Sequence, residues 1–298
     1  MTNENRPAAV GFHSGELAVQ TRAGVRTRAE QLAPMTARGE LRPATADFLA
    51  TAQLAVLTAR DAAGRLWTSP ILGQSGFLTA ATPTTLRVDS DLPPADPLHR
   101  LPAGQPAGLV VMNFAARRRI RINGLLNRSD SGGLEIDVDQ AYGNCPKFIQ
   151  PRRLDLPGGA SGPGRTPVFS GSGLRPEDRG LIEGADTFFL GTTHPASGSD
   201  ASHRGGPAGF VRTEDDRLWW PDYPGNNLFN SLGNLAVDPT AAVLFLDFRT
   251  GATLQLSGVA ALTWDDEHDD EGPSTGRGVM FTPRRVVVTD ISGWRGQS

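Results

Sequence analysis

The alternation of apolar and polar positions repeats over long stretches of this chain. Residues 107–126, AGLVVMNFAARRRIRINGLL, run as an apolar strand, an aromatic, a basic turn and an alternating strand that meets Gly. Residues 240–260, TAAVLFLDFRTGATLQLSGVA, follow the same plan around a Gly-containing turn. In RRRIRINGLL and ATLQLSGVA the apolar side chains fall at every second position. That spacing predicts one buried and one wet face, as in a small antiparallel barrel.

The correspondence extends upstream. FLATAQLAVLTARDAAGRLWTSPILGQSGFL (48–78) aligns with LIEGADTFFLGTTHPASGSDASHRGGPAGFV (181–211): Ala185, Ser202, Gly206 and Gly209-Phe210 lie 133 residues after Ala52, Ser69, Gly73 and Gly76-Phe77. Phe248 and Gly258 lie 134 residues after Phe114 and Gly124. A register kept over such a span implies a duplicated domain, since a solenoid would repeat every ~20–50 residues. Each copy predicts a short helix, a strand, a polar hairpin loop, a second strand at GFL or GFV, a third at TLRVD or RLWWP, a loop or helix, and the hairpin quoted first. The expected fold is mainly β with short helices, a tandem pair of antiparallel barrels.

Other segments divide the chain into an N-terminal helical arm (1–40), a first half (41–150), a Pro/Gly/Ser-rich linker (151–180) and a second half (181–298). In the arm, Ala18, Val25, Ala29 and Leu32 recur at helical spacing. The linker, PRRLDLPGGASGPGRTPVFSGSGLRP over 151–176, holds little that could form a core. Residues 265–278, DDEHDDEGPSTGRG, read as a solvated hairpin tip.

Composition narrows the class. With 29 Lys and Arg against 32 Asp and Glu the formal net charge is −3, which offers no electrostatic case for nucleic acid or a membrane surface. The single cysteine, Cys145, excludes an intrachain disulfide and a Cys-rich metal site. The N-terminal residues lack the order of a secretory signal, and no apolar run approaches the ~20 residues of a span. The expectation is a soluble cytoplasmic protein. His13, His99, His194, His203 and His268 show no metal-ligand spacing, and all but His203 read as surface or hydrogen-bonded. GGASGPG in the linker lacks the following helix of a dinucleotide loop. Arg117 to Arg119 read as a solvated β-turn, and Trp219 and Trp220 as core or interface residues pointing to opposite faces. Cys145 reads first as a small hydrophobe, with a thiolate favoured by Lys147 as the alternative.

The stretch RLWWPDYPGNNLFNSLGNLAVDPTAAVLFLDFRTGATLQLSG, with its Asp238-Pro239 turn, resembles the flavin-binding segment of pyridoxamine 5'-phosphate oxidase-like proteins, the FMN-binding split barrels. FHSGELAVQ, GRLWTSPILG and AYGNCPKFIQPR are similar to a bacterial branch of that family. The resemblance implies a duplicated FMN-binding split β-barrel with a noncovalent FMN between two barrels, its phosphate held by a loop and short helix whose N-terminus favours an anion. The matching residues are Asp222, Asn226, Asn227, Ser231 and Asn234, while Ser202, His203, Arg204 and Gly205 would pass the ring. Family members commonly place Lys or Arg in the phosphate loop; this one has none, so the cation is expected from Arg204, Arg212 or the other half. The first copy has SDLPPADPLHRLPAGQP in that place, whose prolines oppose a helix. One phosphate site per chain is therefore expected, in the second half. Asn144 and Lys147 are candidates to close the pocket, and Trp67 and Trp294 to wall it.

The implied activity is that of an FMN-dependent oxidoreductase acting on a small-molecule substrate, with a nicotinamide donor as a partner, no nucleic acid or membrane, and a homodimer allowed. The alternative is a flavin- or haem-binding carrier or sensor without turnover. True pyridoxamine 5'-phosphate oxidase ranks lower, because no basic cluster stands ready for two phosphates.

Overall fold

The computed structural model describes residues 11–36, 39–129, 133–143, 145–156, 162–264 and 275–295. The arm holds α1 (Ser14–Arg22) and α2 (Arg26–Glu30). The first half comprises α3 (Pro43–Thr51), β1 (Leu54–Arg60), β2 (Leu66–Leu72), β3 (Leu78–Thr82), β4 (Thr85–Val88), β5 (Gln105–Asn113), β6 (Arg118–Arg128) and β7 (Leu134–Gly143). After β8 (Arg165–Gly171), the second half comprises α4 (Pro176–Gly184), β9 (Thr187–His194), β10 (Gly198–Gly205), β11 (Arg212–Glu214), β12 (Arg217–Pro221), α5 (Asn230–Val237), β13 (Thr240–Leu246), β14 (Ala252–Trp264) and β15 (Arg277–Ile291).

The two sheets have one topology. The first runs β2-β1-β5-β6-β7-β4-β3 and the second β10-β9-β13-β14-β15-β12-β11, so each strand of one has its counterpart in the other. The paired glycines explain why the register was kept. Gly124 and Gly258 each sit at a β-bulge between β6 and β7 or β14 and β15, where a Cβ would strike the carbonyl of Asp137 or Thr282. Gly73 and Gly206 each lie under the ring of Phe77 or Phe210, and Gly76 and Gly209 adopt φ of +98° and +87°. Only glycine meets these demands without strain. Helices α3 and α4 both start with Pro at the first turn and end where the N–H of Ala52 or Ala185 bonds Leu49 or Ile182.

Each barrel encloses its own core, and a third cluster lies between them. Along β1, Ala55 and Leu57 face the first core while Leu54 and Val56 face the interface; on β13, Val243 and Phe245 face the second core and Leu244 and Leu246 the interface. These strands are buried on both faces, which is why they read as continuous apolar runs. Phe114 and Phe248, counterparts in sequence, meet edge to face with centroids 5.1 Å apart, as a pseudo-two-fold arrangement requires.

Several expectations change. The arm is helical, but its buried face is Gly15, Glu16, Val19 and Gln20, with Ala18 exposed; the helix ends near Gly24, at φ +68°, so one continuous stripe is impossible. The linker is not wholly irregular, since β8 pairs with the edge of β15. Trp219 and Trp220 do lie on opposite faces of β12, yet both are buried: Trp220 joins the second core and Trp219 is covered by Gly278 and Arg212. Trp67 is in the first core, donating to Asp61 at 3.0 Å, and Trp294 donates to the Phe248 carbonyl at 3.1 Å. The acidic segment 265–274 and His268 lie outside the described residues.

Strand β8 also delivers Arg165 between the halves. There its guanidinium bonds the carboxylate of Asp96 and the carbonyl of Pro70, with both charged side chains almost wholly buried. Replacing Arg165 by Met leaves Asp96 buried and unpaired, a loss of about 3–5 kcal/mol of stability. Adding Asp96→Asn should recover part of it. Denaturant unfolding of the single and double variants checks both, and an unaffected single variant would show that this pair contributes nothing.

Candidate functional site

A cleft opens where β6 of the first half crosses β10 of the second. Arg119 and Arg121 sit two residues apart on β6 and so share a face, opposite Ile120 and Ile122. They meet Arg204 of β10 and the segment from Asp222 to Leu232, which leads into α5. Helix α5 starts from Phe229 at φ +58° with no side-chain cap, and Asn227 just before it is also left-handed, at φ +61°. The first-turn amides of such a helix have no partner inside it.

The charges here are unevenly paired. Arg121 bonds Asp200 at 3.0 Å, and Asp200 also accepts from the Ser231 hydroxyl at 2.9 Å. Arg204 and Arg277 share Asp222 at 3.3 and 3.1 Å. Arg119 has no carboxylate partner among the described residues; its guanidinium donates to His203 Nδ1 at 2.5 Å. Burial, then the like charges of Arg121 and Arg204, lower its pKa to about 9. Burial also lowers that of Arg204 against the pull of Asp222. For Arg121 burial acts the same way, but Asp200 and Tyr142 together outweigh it and the pKa rises. The Nε groups of Arg119, Arg121 and Arg204 are all buried without a hydrogen-bond partner among the described residues. Such a cluster is complementary to an anion.

Of the residues expected from sequence, His203, Arg204, Gly205, Asp222, Asn226, Asn227 and Ser231 line this cleft. Two of them are already engaged within the protein. Asp222 is a counter-ion to two arginines, and Ser231 is engaged with Asp200 and Ser202. Ser202 lies beneath, donating to the Leu190 carbonyl at 3.3 Å. Asn234 points away from the cleft, its Oδ1 accepting from His13 at 3.0 Å and its Nδ2 donating to Thr192 at 2.9 Å. Arg212 lies over the Trp219 ring, outside the cleft, and Trp67 and Trp294 do not reach it either. Lys147 and the exposed Cys145 line it, with Phe148 stacked on Tyr223 at 5.0 Å; Asn144 lies outside the described residues. The residues missed were Arg119, Arg121, Tyr142 and Phe148. Arg117 lies in the exposed turn foreseen and Arg118 is exposed at the start of β6, but Arg119 and Arg121 continue the strand. The R-I-R-I alternation was the available signal: it separates the two arginines from the core, and only the second half makes their face a site.

Residues 174–298 match the family model described as pyridoxamine 5'-phosphate oxidase. This second half is a pyridoxamine 5'-phosphate oxidase-family domain. The first half repeats its strand order without being part of the match. Similar solved structures include a putative pyridoxamine 5'-phosphate oxidase from Lactobacillus delbrueckii (15% identity, 38% of this chain and 93% of that one, TM-score 0.31). Another is the heme storage protein HutZ from Vibrio cholerae (14%, 41% and 96%, TM-score 0.28), and a third is an FAD binding protein from Mycobacterium smegmatis (15%, 40% and 98%, TM-score 0.29). No curated protein matches the chain. Among the described residues no helix is long and apolar enough to cross a membrane, and no His, Cys, Asp and Glu group could hold a metal ion.

Within the family domain lie the loop and α5; Arg119 and Arg121 come from the other half, so the site is composite. Its pseudo-symmetric counterpart is closed. There Thr253 and Gln255 take the places of Arg119 and Arg121, and Pro70 and Ile71 those of His203 and Arg204. Gln255 donates to Ser69 at 2.8 Å, and Arg165 fills the remaining space against Asp96. No helix forms between β4 and β5, as the prolines foretold.

The arm braces the open site from behind. Gly15 and Gly233 allow α1 and α5 to touch backbone to backbone. Gln20 donates to the Leu228 carbonyl at 3.2 Å, Glu16 accepts from Asn230 at 3.2 Å, and His13 holds Asn234. Burial raises the Glu16 pKa from 4.5 to about 7, while burial and then His194 lower that of His13 from 6.5 to about 4. Folded Glu16 keeps a proton that the unfolded chain releases near 4.5, so its contribution to stability falls as pH rises towards 7. Folded His13 lacks a proton that the unfolded chain binds, so its contribution rises from pH 4 to 6.5. The two slopes oppose each other. Glu16→Gln should therefore unmask a gain of about 2 kcal/mol between acid and neutral pH, less than the full shift because solvent screens part of it. His13→Asn should show a decline over the same range, with denaturant unfolding at several pH values as the measurement; parallel profiles for both variants would refute the pairing.

Proposed function

We propose that the cleft holds FMN and that the protein is an FMN-dependent oxidoreductase, passing hydride or electrons between the flavin and a small molecule, with a nicotinamide as donor. The observation that carries this reading is the buried charge of Arg119, which lacks a carboxylate among the described residues, beside an uncapped helix start. A phosphate fits that donor set: Arg119, Arg121 and Arg204 offer free Nε–H groups, and the first turn of α5 offers amides and a positive dipole end. The cation absent from the loop is supplied by the first half. When bound, FMN would supply the redox chemistry, and the protein its orientation and electrostatics. Phe148 and Tyr223 face each other across the two halves. The enclosed volume is ≈ 110 Å³, below the roughly 300–1,000 Å³ of pockets that engulf such ligands, so this pair would have to part for a three-ring ligand to enter.

A second reading, a flavin or haem carrier without turnover, has its own support. Burial, then four arginines, holds His203 well below its ordinary pKa, and burial raises that of Tyr142. Both groups are thereby held neutral, an arrangement that a carrier tolerates.

FMN titration by fluorescence quenching tests the site. Arg119→Met breaks no ion pair among the described residues and should fold, yet lose charged hydrogen bonds of about 1.5–3 kcal/mol, roughly 10- to 150-fold in affinity. Unchanged affinity would remove the phosphate from this place. Reduction of the bound flavin by NADH or NADPH, followed by reoxidation, separates the enzyme from the carrier.

A further inference from the structure

His203 is the one ring in the cleft whose proton position the geometry decides. An arginine guanidinium has donors and no acceptor, so the 2.5 Å contact between Arg119 and His203 Nδ1 requires Nδ1 to accept. In the neutral ring the proton then sits on Nε2. Nε2 is buried and has no partner among the described residues. Charges around the ring come from both halves: Arg119, Arg152, Arg204 and Arg121 all oppose a second proton. The ring is also fixed in place, with Phe114 and Phe189 meeting it edge-on at 6.2 and 5.8 Å. On the other side, the missing side chain of Gly205 lets the Phe148 carbonyl and His203 Cε1 approach the same point.

Resting on the reading of the cleft as a cofactor site, we infer that His203 is a locked Nε2–H donor that selects ligands presenting a hydrogen-bond acceptor, and that it does not ligate a metal. A buried N–H without an acceptor is costly, so a bound molecule that offers a carbonyl oxygen or an unprotonated ring nitrogen is favoured over one that offers a C–H or N–H. The same lock disfavours iron. Ligation through Nε2 would move the proton to Nδ1, setting an N–H against the guanidinium of Arg119. A heteroaromatic ring with acceptors along one edge satisfies the site; a haem iron does not. His203 thereby becomes a specificity-determining residue, and Arg119 positions its proton as well as offering a charge.

Long-range proton–nitrogen NMR on the histidine-labelled full chain reads the tautomer without any ligand. The expected result is a neutral Nε2–H ring for His203 with no transition between pH 5 and 8, and a neutral ring that populates both tautomers in Arg119→Met. An Nδ1–H ring, or a transition near pH 6.5 in the unsubstituted protein, would overturn the inference. FMN titration supplies the second arm: His203→Phe should lose at least tenfold in affinity and His203→Gln, which keeps a donor, no more than about threefold. Equal losses would show that the ring acts by shape alone. Hemin is the third probe, and its absorption spectrum should be the same with the unsubstituted protein and with His203→Phe; a histidine-ligated spectrum lost in the variant would overturn the lock. Should FMN fail to bind the unsubstituted protein, the function proposed above fails, while the NMR and hemin arms still decide this inference.

Discussion

Everything else in this molecule depends on the packing of two barrels back to back along β1, β5, β9 and β13. Burying both faces of four strands removes a large apolar area from water, and it brings β6 of one half against β10 of the other. The cleft is a consequence of that contact. Neither half lines the cleft alone: the loop and helix lie in the second, and the arginines that line it lie in both.

Duplication would by itself make two such clefts, and the chain keeps one. In the closed counterpart, neutral Thr253 and Gln255 stand where the open cleft has arginines, and a linker strand inserts Arg165 against Asp96. A buried ion pair inside the protein thus occupies a position where the open site leaves positive charge for a ligand. The same chemistry, a guanidinium with a carboxylate or, among the described residues, without one, separates the closed contact from the open cleft.

The arm adds a third layer. Its motif, FHSGELAVQ, is spent on α5: a histidine on Asn234, a glycine at the helix crossing, a glutamate on Asn230 and a glutamine on the loop carbonyl. None of these side chains enters the cleft, yet together they fix the helix whose N-terminus faces it. The left-handed backbone at Asn227 and Phe229 is held from behind by these bonds, which is a reasonable place for strain to persist.

The sequence by itself determined the duplication, five of the seven strands that the two halves share, the prolines that deny the first half a helix, and the loop that the second half brings to the cleft; β2 and β10 had read as a polar hairpin loop, and β7 and β15 were not read. These are local matters: alternation, turn glycines and helix breakers act over a few residues, and equal spacing reports their repetition. Which arginines line the cleft was decided by the tertiary structure. Arg119 and Arg121 look like a wet strand face until β10 covers it, and Arg212 looks available until it settles on Trp219. Asn234 and Ser231 have the right chemistry for a phosphate, but partners distant in sequence, His13 and Asp200, claim them first. Side-chain type sets what a residue can bond; only the packing of remote segments decides which partner is within reach and which group is left for a ligand.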